Sequence, residues 1–215
     1  MTAGRAKGHA WIMTQDNSQI RNICVYCGSQ PGRDPSHLQA GRVLGKAIAE
    51  NGLRLVYGGG MRGIMGAVAS GVMSHGGKVL GIIPEFLMDK EASKHELTSL
   101  TEVIVTADMH QRKHRMFEEA DAFVTLPGGI GTLEEIVEIM TWAQLGRHRK
   151  PMVFANINGF WDPMLSLLDH MRGQGFIHTG HLVQPLVIDK AGDIVPAILA
   201  AGTGNGADQA VIEKL

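Results

Sequence analysis

Along the chain, short runs of consecutive apolar residues alternate with longer stretches that are apolar at every third or fourth position. The short runs fall at residues 23–27, 53–57, 79–83, 103–105, 122–126, 152–155 and 186–188. The longer stretches fall near 36–51, 63–75, 109–120, 132–145, 161–174 and 191–201. Strands apolar on both faces are buried on both, and helix-length spacers between them build parallel pairs with crossover helices. The pattern predicts an α/β fold: a doubly wound, Rossmann-like, mostly parallel sheet with helices on both faces. Ligands of such sheets bind outside the carboxyl ends of the strands. Residues 1–20 are polar and without period, and are expected to form a flexible N-terminal extension. Residues 21–201 read as a single domain, and 202–215, opening on Gly202-Thr203-Gly204-Asn205-Gly206, as a flexible tail. The polar stretch 85–101, with one apolar run at 86–88, is expected to be a lid or loop beside the site.

Composition adds one feature to this picture. The chain has 28 glycines in 215 residues, where average usage would give roughly 15. Charge removes several function classes. Twenty Lys and Arg stand against 21 Asp and Glu, a formal charge of −1, so the basic excess of a nucleic-acid binder is missing. No window approaches the ~18 apolar residues of a membrane span, and the first twenty residues lack the long apolar run of a signal peptide. Cys24 and Cys27 are too few for a disulfide framework. They sit three apart on a strand and so point to opposite faces, which reads as buried structural thiols rather than a redox pair. A cytoplasmic protein is expected.

The surplus glycine gathers at three strand ends, each running into a helix. These are Cys27-Gly28-Ser29-Gln30-Pro31-Gly32, Gly58-Gly59-Gly60-Met61-Arg62-Gly63-Ile64-Met65-Gly66, and Pro127-Gly128-Gly129-Ile130-Gly131-Thr132-Leu133-Glu134-Glu135. Glycine permits close approach and positive φ, and the helix that follows offers unpaired N–H groups and its positive end to an anion. Three such loops favour a shared phosphate or nucleotide site over three tight turns. No loop carries Gly-Lys-Ser/Thr, so the Walker pattern is absent. The second loop matches G-x-G-x-x-G through Gly58, Gly60 and Gly63, with Glu85 near where a ribose-binding acid belongs, so an NAD-dependent enzyme stays open as an alternative.

Two charged groupings lie beside these loops. Thr132 and Glu135 form a Thr-x-x-Glu pattern that reads either as a capping box or as a carboxylate placed to act on a bound sugar. The run Asp108-Met109-His110-Gln111-Arg112-Lys113 puts cations into the first turn of a helix, where the dipole disfavours them. It is a solvated basic face or, preferably, a recruiter of an anionic ligand. His110 and His114 stand one turn apart without a third ligand, so no metal is expected. Met109 could touch a base.

At these residues the chain resembles the LONELY GUY (LOG) family, the cytokinin riboside 5′-monophosphate phosphoribohydrolases. The likeness rests on Pro-Gly-Gly-x-Gly-Thr-x-x-Glu at 127–135 and Asp-Met-His-x-Arg-Lys at 108–113. Gly28-Ser29, the 56–66 loop and Thr141-Trp142-Ala143-Gln144-Leu145-Gly146 extend it over roughly 22–200. The resemblance implies hydrolysis of the N-glycosidic bond of a nucleoside 5′-monophosphate, with AMP as a further substrate, no cofactor, and a homodimer or larger assembly with sites close to the subunit interface. It implies Arg112 and Glu135 as the catalytic pair. Gly129, Gly131 and Thr132 would form the phosphate cradle, with Ile130, Leu133 and Glu134 among the other substrate-binding residues. Gly28, Ser29 and Gly59 would line the nucleotide pocket, and Glu91, Met109, Lys113 and Thr141 would make further substrate contacts. Glu135 would bind ribose hydroxyls or orient water; Arg112 would hold substrate charge or help the departing base accept a proton. The lysine decarboxylase label given to such proteins calls for a pyridoxal phosphate site, and none is recognisable. A non-catalytic nucleotide-binding protein is the other alternative.

Overall fold

The computed structural model describes residues 20–177 and 183–204. The expected N-terminal extension up to residue 19 and the expected tail from 205 lie outside the described residues.

Seven strands form one sheet: β1 (Asn22–Tyr26), β2 (Arg54–Tyr57), β3 (Lys78–Pro84), β4 (Glu102–Thr106), β5 (Ala122–Thr125), β6 (Met152–Ala155) and β7 (Leu186–Ile188). Their order is β4-β3-β2-β1-β5-β6-β7, and every pairing is parallel. The chain winds outward from β1 to the β4 edge, then returns to lay β5 against the other side of β1. That reversal makes the carboxyl ends of β1 and β5 the switch point where α/β sheets take ligands.

The helices are α1 (Pro35–Glu50), α2 (Gly63–Met73), α3 (Lys94–Leu97), α4 (Met109–Glu119), α5 (Ile130–Gln144), α6 (Asp162–Gly173) and α7 (Ile194–Gly204). Alternation along β1 divides the core. Ile23, Val25 and Cys27 join the layer of α1, α2 and α7, while Cys24 and Tyr26 face Met116 of α4 and Ile136, Ile139, Met140 and Ala143 of α5. The last four stand at i, i+3, i+4 and i+7, the spacing that turns one helical stripe toward a sheet. Both cysteines are free, and burial pushes both thiols well up, which leaves them poor nucleophiles. Among the described residues no helix is long and apolar enough to cross a membrane.

Most boundaries shift by a residue or two from expectation, and three differences bear on the site or the chain ends. The polar stretch 85–101 holds a 3-10 turn, Glu85–Leu87, and the four-residue α3. Helix α5 begins at Ile130 rather than 132. Helix α7 starts later than 191 and runs on through Gly202 to Gly204, with Gly202 packed against Ile20.

Candidate active site

The three glycine loops meet at the carboxyl end of the sheet, but they are not equivalent. The Gly28 amide donates to Pro127 O at 3.1 Å, which joins the first loop to the third across β1 and β5. The Gly28 carbonyl accepts from the amides of Ile64 and Met65 at 3.1 and 3.2 Å. That carbonyl caps α2, so the first two loops bind each other. Gly63 seals the join: its φ is +55°, and a Cβ there would stand 2.5 Å from backbone atoms of Ser29. The amides that a dinucleotide pyrophosphate would need on the G-x-G-x-x-G loop are therefore spent inside the protein.

The starts of α1 and α4 are also closed. Asp34 accepts from the Ser36 amide at 2.9 Å, and Asp108 from the Gln111 amide at 2.8 Å. Helix α5 differs. Gly129 is its N-cap and supplies no side chain, and among the described residues the amides of Ile130, Gly131 and Thr132 meet no acceptor. A Cβ on Gly129 or Gly131 would meet no atom within 4 Å, so packing within the chain does not call for glycine at either position. Because the helix starts at Ile130, Thr132 lies inside its first turn and is no N-cap. The capping-box reading of Thr132 and Glu135 is thereby replaced. Thr132 is buried, and its side chain occupies the space beside Gly128, where a Cβ would fall 2.2 Å from Oγ1.

The unfavourable cation at the start of α4 has a specific destination. Arg112 is 5% exposed and crosses under the sheet end. Its Nε donates to Ile82 O at 3.3 Å and its Nη2 to Gly58 O at 3.5 Å, so carbonyls at the ends of β3 and β2 offset the helix dipole. Gly58 makes the room, since a Cβ there would lie 1.9 Å from Nη2. Met109 packs against the same guanidinium, with its Sδ 3.7 Å from Nη1.

Glu135, on the second turn of α5, is 8% exposed and lies 3.8 Å from Arg112 Nη1. Burial pushes its carboxyl up to about 7; Arg112 and Lys113 pull it down, while Glu134 and Glu91 add to the rise. A carboxyl poised there can take or hold a proton near neutral pH. Glu91 faces the same space from the 85–101 segment. Met61 N donates to Glu91 O at 3.1 Å, and the Oε2 of Glu91 is buried without a partner 3.6 Å from where a Gly60 Cβ would stand.

The remaining expected site residues fall in three places. Gly28, Ser29 and Gly59 sit on the interlocked loops, Gly59 against Ile83. Lys113 reaches Glu134 and Glu138 on α5. Leu133 and Thr141 lie on the outer face of α5, where the Thr141 hydroxyl donates to Val137 O at 2.8 Å. Thr141 is ~16 Å along the helix from Ile130, at ~1.5 Å per residue. Glu138, which sequence reasoning missed, stands one turn after Glu134, a spacing that marks a shared partner. Among the described residues no three His, Cys, Asp or Glu side chains gather as metal ligands; His114 meets Glu118 at 3.2 Å. Cavities of about 310 Å³ between α1 and α2 and about 610 Å³ beside α6 are lined by none of the glycine-loop residues.

Comparison with known proteins follows the same residues. The family profile described as "Possible lysine decarboxylase" matches residues 65–198. The protein named cytokinin riboside 5′-monophosphate phosphoribohydrolase LOG7 from Arabidopsis thaliana is 46% identical over 165 residues, covering 77% of this chain and 75% of that one. The cytokinin riboside 5′-monophosphate phosphoribohydrolase of Rhodococcoides fascians is 47% identical over 167 residues, covering 77% and 83%. Among solved structures, the molybdenum cofactor binding protein of Rippkaea orientalis superposes with a TM-score of 0.63 at 20% identity, over 85% of this chain and 97% of that one. At that identity the likeness concerns the fold alone.

Proposed function

The chain belongs to the LONELY GUY (LOG) family, and on that premise we propose that it hydrolyses the N-glycosidic bond of cytokinin riboside 5′-monophosphates to free base and ribose 5-phosphate. The observation that carries this reading is the open start of α5 beside a buried arginine–carboxylate pair. The 5′-phosphate docks on the amides of Ile130, Gly131 and Thr132, where the helix dipole favours a dianion. That remote binding energy holds the ribose against Glu135.

As the bond from C1′ to the base nitrogen breaks, its electron pair leaves on the base and positive charge develops on the ribose. The Glu135 carboxylate stabilises that charge; water adding to C1′ gives up its proton to it, and that proton passes on to the departing base nitrogen, which leaves neutral base, ribose 5-phosphate and the restored carboxylate. Arg112 acts through its position and its charge. Held by two carbonyls and 3.8 Å from Glu135, it orients the carboxylate and offsets charge. Glu91, with an unpaired buried oxygen, offers an acceptor to a substrate hydroxyl or amine. Incubation with isopentenyladenosine 5′-monophosphate and with AMP, assaying free base and ribose 5-phosphate, tests the reaction. Both products are expected from the first and at a lower rate from AMP; neither product from either would end this reading.

A homodimer completes the proposal. The outer face of α5 carries Ile130, Leu133, Val137 and Leu145, which are 87%, 36%, 41% and 70% exposed and flank Thr141. An apolar stripe of that length on one helix fits self-association. A two-fold pairing of α5 also accounts for Thr141 as a substrate contact, since it stands far from its own cradle and near its partner's. Free buried thiols and a nucleotide substrate fit a cytoplasmic enzyme.

A further inference from the structure

Adjacent residues of α4 and α5 pair in two parallel rungs. Arg112 meets Glu135 on the inner side, and Lys113 meets Glu134 and, at 3.3 Å, Glu138 on the outer side. The Lys113 side chain is only 12% exposed and Glu138 27%, so that pair is partly withdrawn from water, while Glu134, 50% exposed, reaches the lysine from the solvent side. Burial would lower the Lys113 pKa, but the hydrogen bonds it donates to Glu134 and Glu138 prevail and raise it. The ammonium is therefore charged and committed to two carboxylates.

Those carboxylates stand one and two turns from the open amides of α5. Without a cation they would set two negative charges beside the place where a phosphate dianion docks. One ammonium against two carboxylates leaves the cluster with a single negative charge.

We propose that Lys113 is a positioning residue for the α5 cradle: it neutralises and holds Glu134 and Glu138, and does not itself touch the phosphate. This rests on α5 being the phosphate site and changes the part given to Lys113 by the family resemblance. It also explains how a helix with Glu134, Glu135 and Glu138 in its second and third turns can receive an anion.

The two roles separate in a mutant cycle read by calorimetric binding of AMP. Lys113→Met leaves both carboxylates uncompensated and is expected to weaken AMP on the order of tenfold at low salt. The double variant Lys113→Met/Glu134→Gln restores the single negative charge and is expected to bind AMP within about threefold of wild type. An ammonium that bound phosphate directly would leave the double variant more than about tenfold weaker than wild type, because removing the Glu134 charge does not replace the lost contact, and that result would overturn the proposal. Should Lys113→Met fail to fold, as judged by thermal unfolding, the double variant against wild type decides alone.

A second readout follows Glu135, which is faced by Arg112 and Lys113 of α4, by Glu91, by Glu134 of its own helix, by Cys24 and Tyr26 of β1, and by Cys27 just after it. The inflection of kcat/KM is expected to move to higher pH in Lys113→Met and to return in the double variant. An inflection that stays in place in Lys113→Met would count against the charge-balancing role. If wild type cleaves no nucleotide, the hydrolase reading fails while the AMP-binding cycle still decides the role of Lys113.

Discussion

At the scale of single residues, Glu135 is where stability and chemistry oppose each other. Its carboxyl has an ordinary value of 4.5 and stands at about 7 in the folded protein, chiefly through burial. The native state thus holds the proton more tightly than the unfolded state. Below pH 4.5 both states are protonated and nothing is lost. Between about 4.5 and 7 the unfolded chain ionises first, and stability falls by about 3 kcal/mol before levelling off. Glu135→Gln removes the titration. It is expected to unfold at a higher temperature than wild type at pH 8 and at the same temperature at pH 4, while turnover drops at least ~100-fold. Equal unfolding temperatures at pH 8 would contradict a buried, strained carboxylate. In wild type, kcat/KM is expected to rise with pH through about 7 as the carboxylate forms.

This residue and Arg112 were legible in the sequence because they break local rules. A basic pair in the first turn of α4 opposes the helix dipole, and a carboxylate follows a glycine-rich turn. The destination of Arg112 was not legible, because the accepting carbonyls of Gly58 and Ile82 are fifty-four and thirty residues away and meet it only through the sheet order. Glu138 was missed for a different reason. On its own it reads as an ordinary solvated position, and only Lys113 across the helix pair gives it a function.

At the scale of elements, all seven strands were legible, since each holds a short apolar or β-branched run set off from its neighbours by turn signals and helix-length spacers. Helix α3 was not, because Lys94–Leu97 is too short to show a period; its signal was the Ser93-x-x-Glu96 capping box, in which both reciprocal hydrogen bonds form. The same pattern at Thr132 misled in the opposite direction, since Gly129 had already started α5. Helix α5 does most to join fold and function. Its inner stripe of Ile136, Ile139, Met140 and Ala143 seats it on the sheet, its first turn presents open amides, and its outer stripe is apolar. Val137→Glu on that outer stripe is expected to leave the monomer folded and to halve the solution mass, read by light scattering. A wild-type chain that is already monomeric would remove the role given to α5 in self-association. Activity should fall with the dimer, because Thr141 is then separated from the cradle it serves.

For the whole molecule, the sheet order decides which of the glycine loops matters. Reversal of winding at β1 and β5 brings the first and third loops together, and the second locks onto the first through Gly28 and Gly63. Two loops thus bind each other as a floor, and the third leaves the first amides of α5 without an acceptor among the described residues. The motifs differ, G-x-G-x-x-G in the second loop and Thr-x-x-Glu in the third, but which amides stay open is set by the hydrogen bonding of Gly28 O, and that depends on contacts between residues over thirty apart. The surplus glycine therefore serves two ends, close backbone approach in the floor and clearance at the start of α5.

The central claim is that binding energy from the 5′-phosphate on α5 is spent at the glycosidic bond next to Glu135. It is tested most directly by kcat/KM for isopentenyladenosine 5′-monophosphate against that for isopentenyladenosine, which lacks only the phosphate. The account predicts at least a ~1000-fold preference for the monophosphate, the equivalent of ~4 kcal/mol of transition-state binding. Equal values for the two substrates would contradict it.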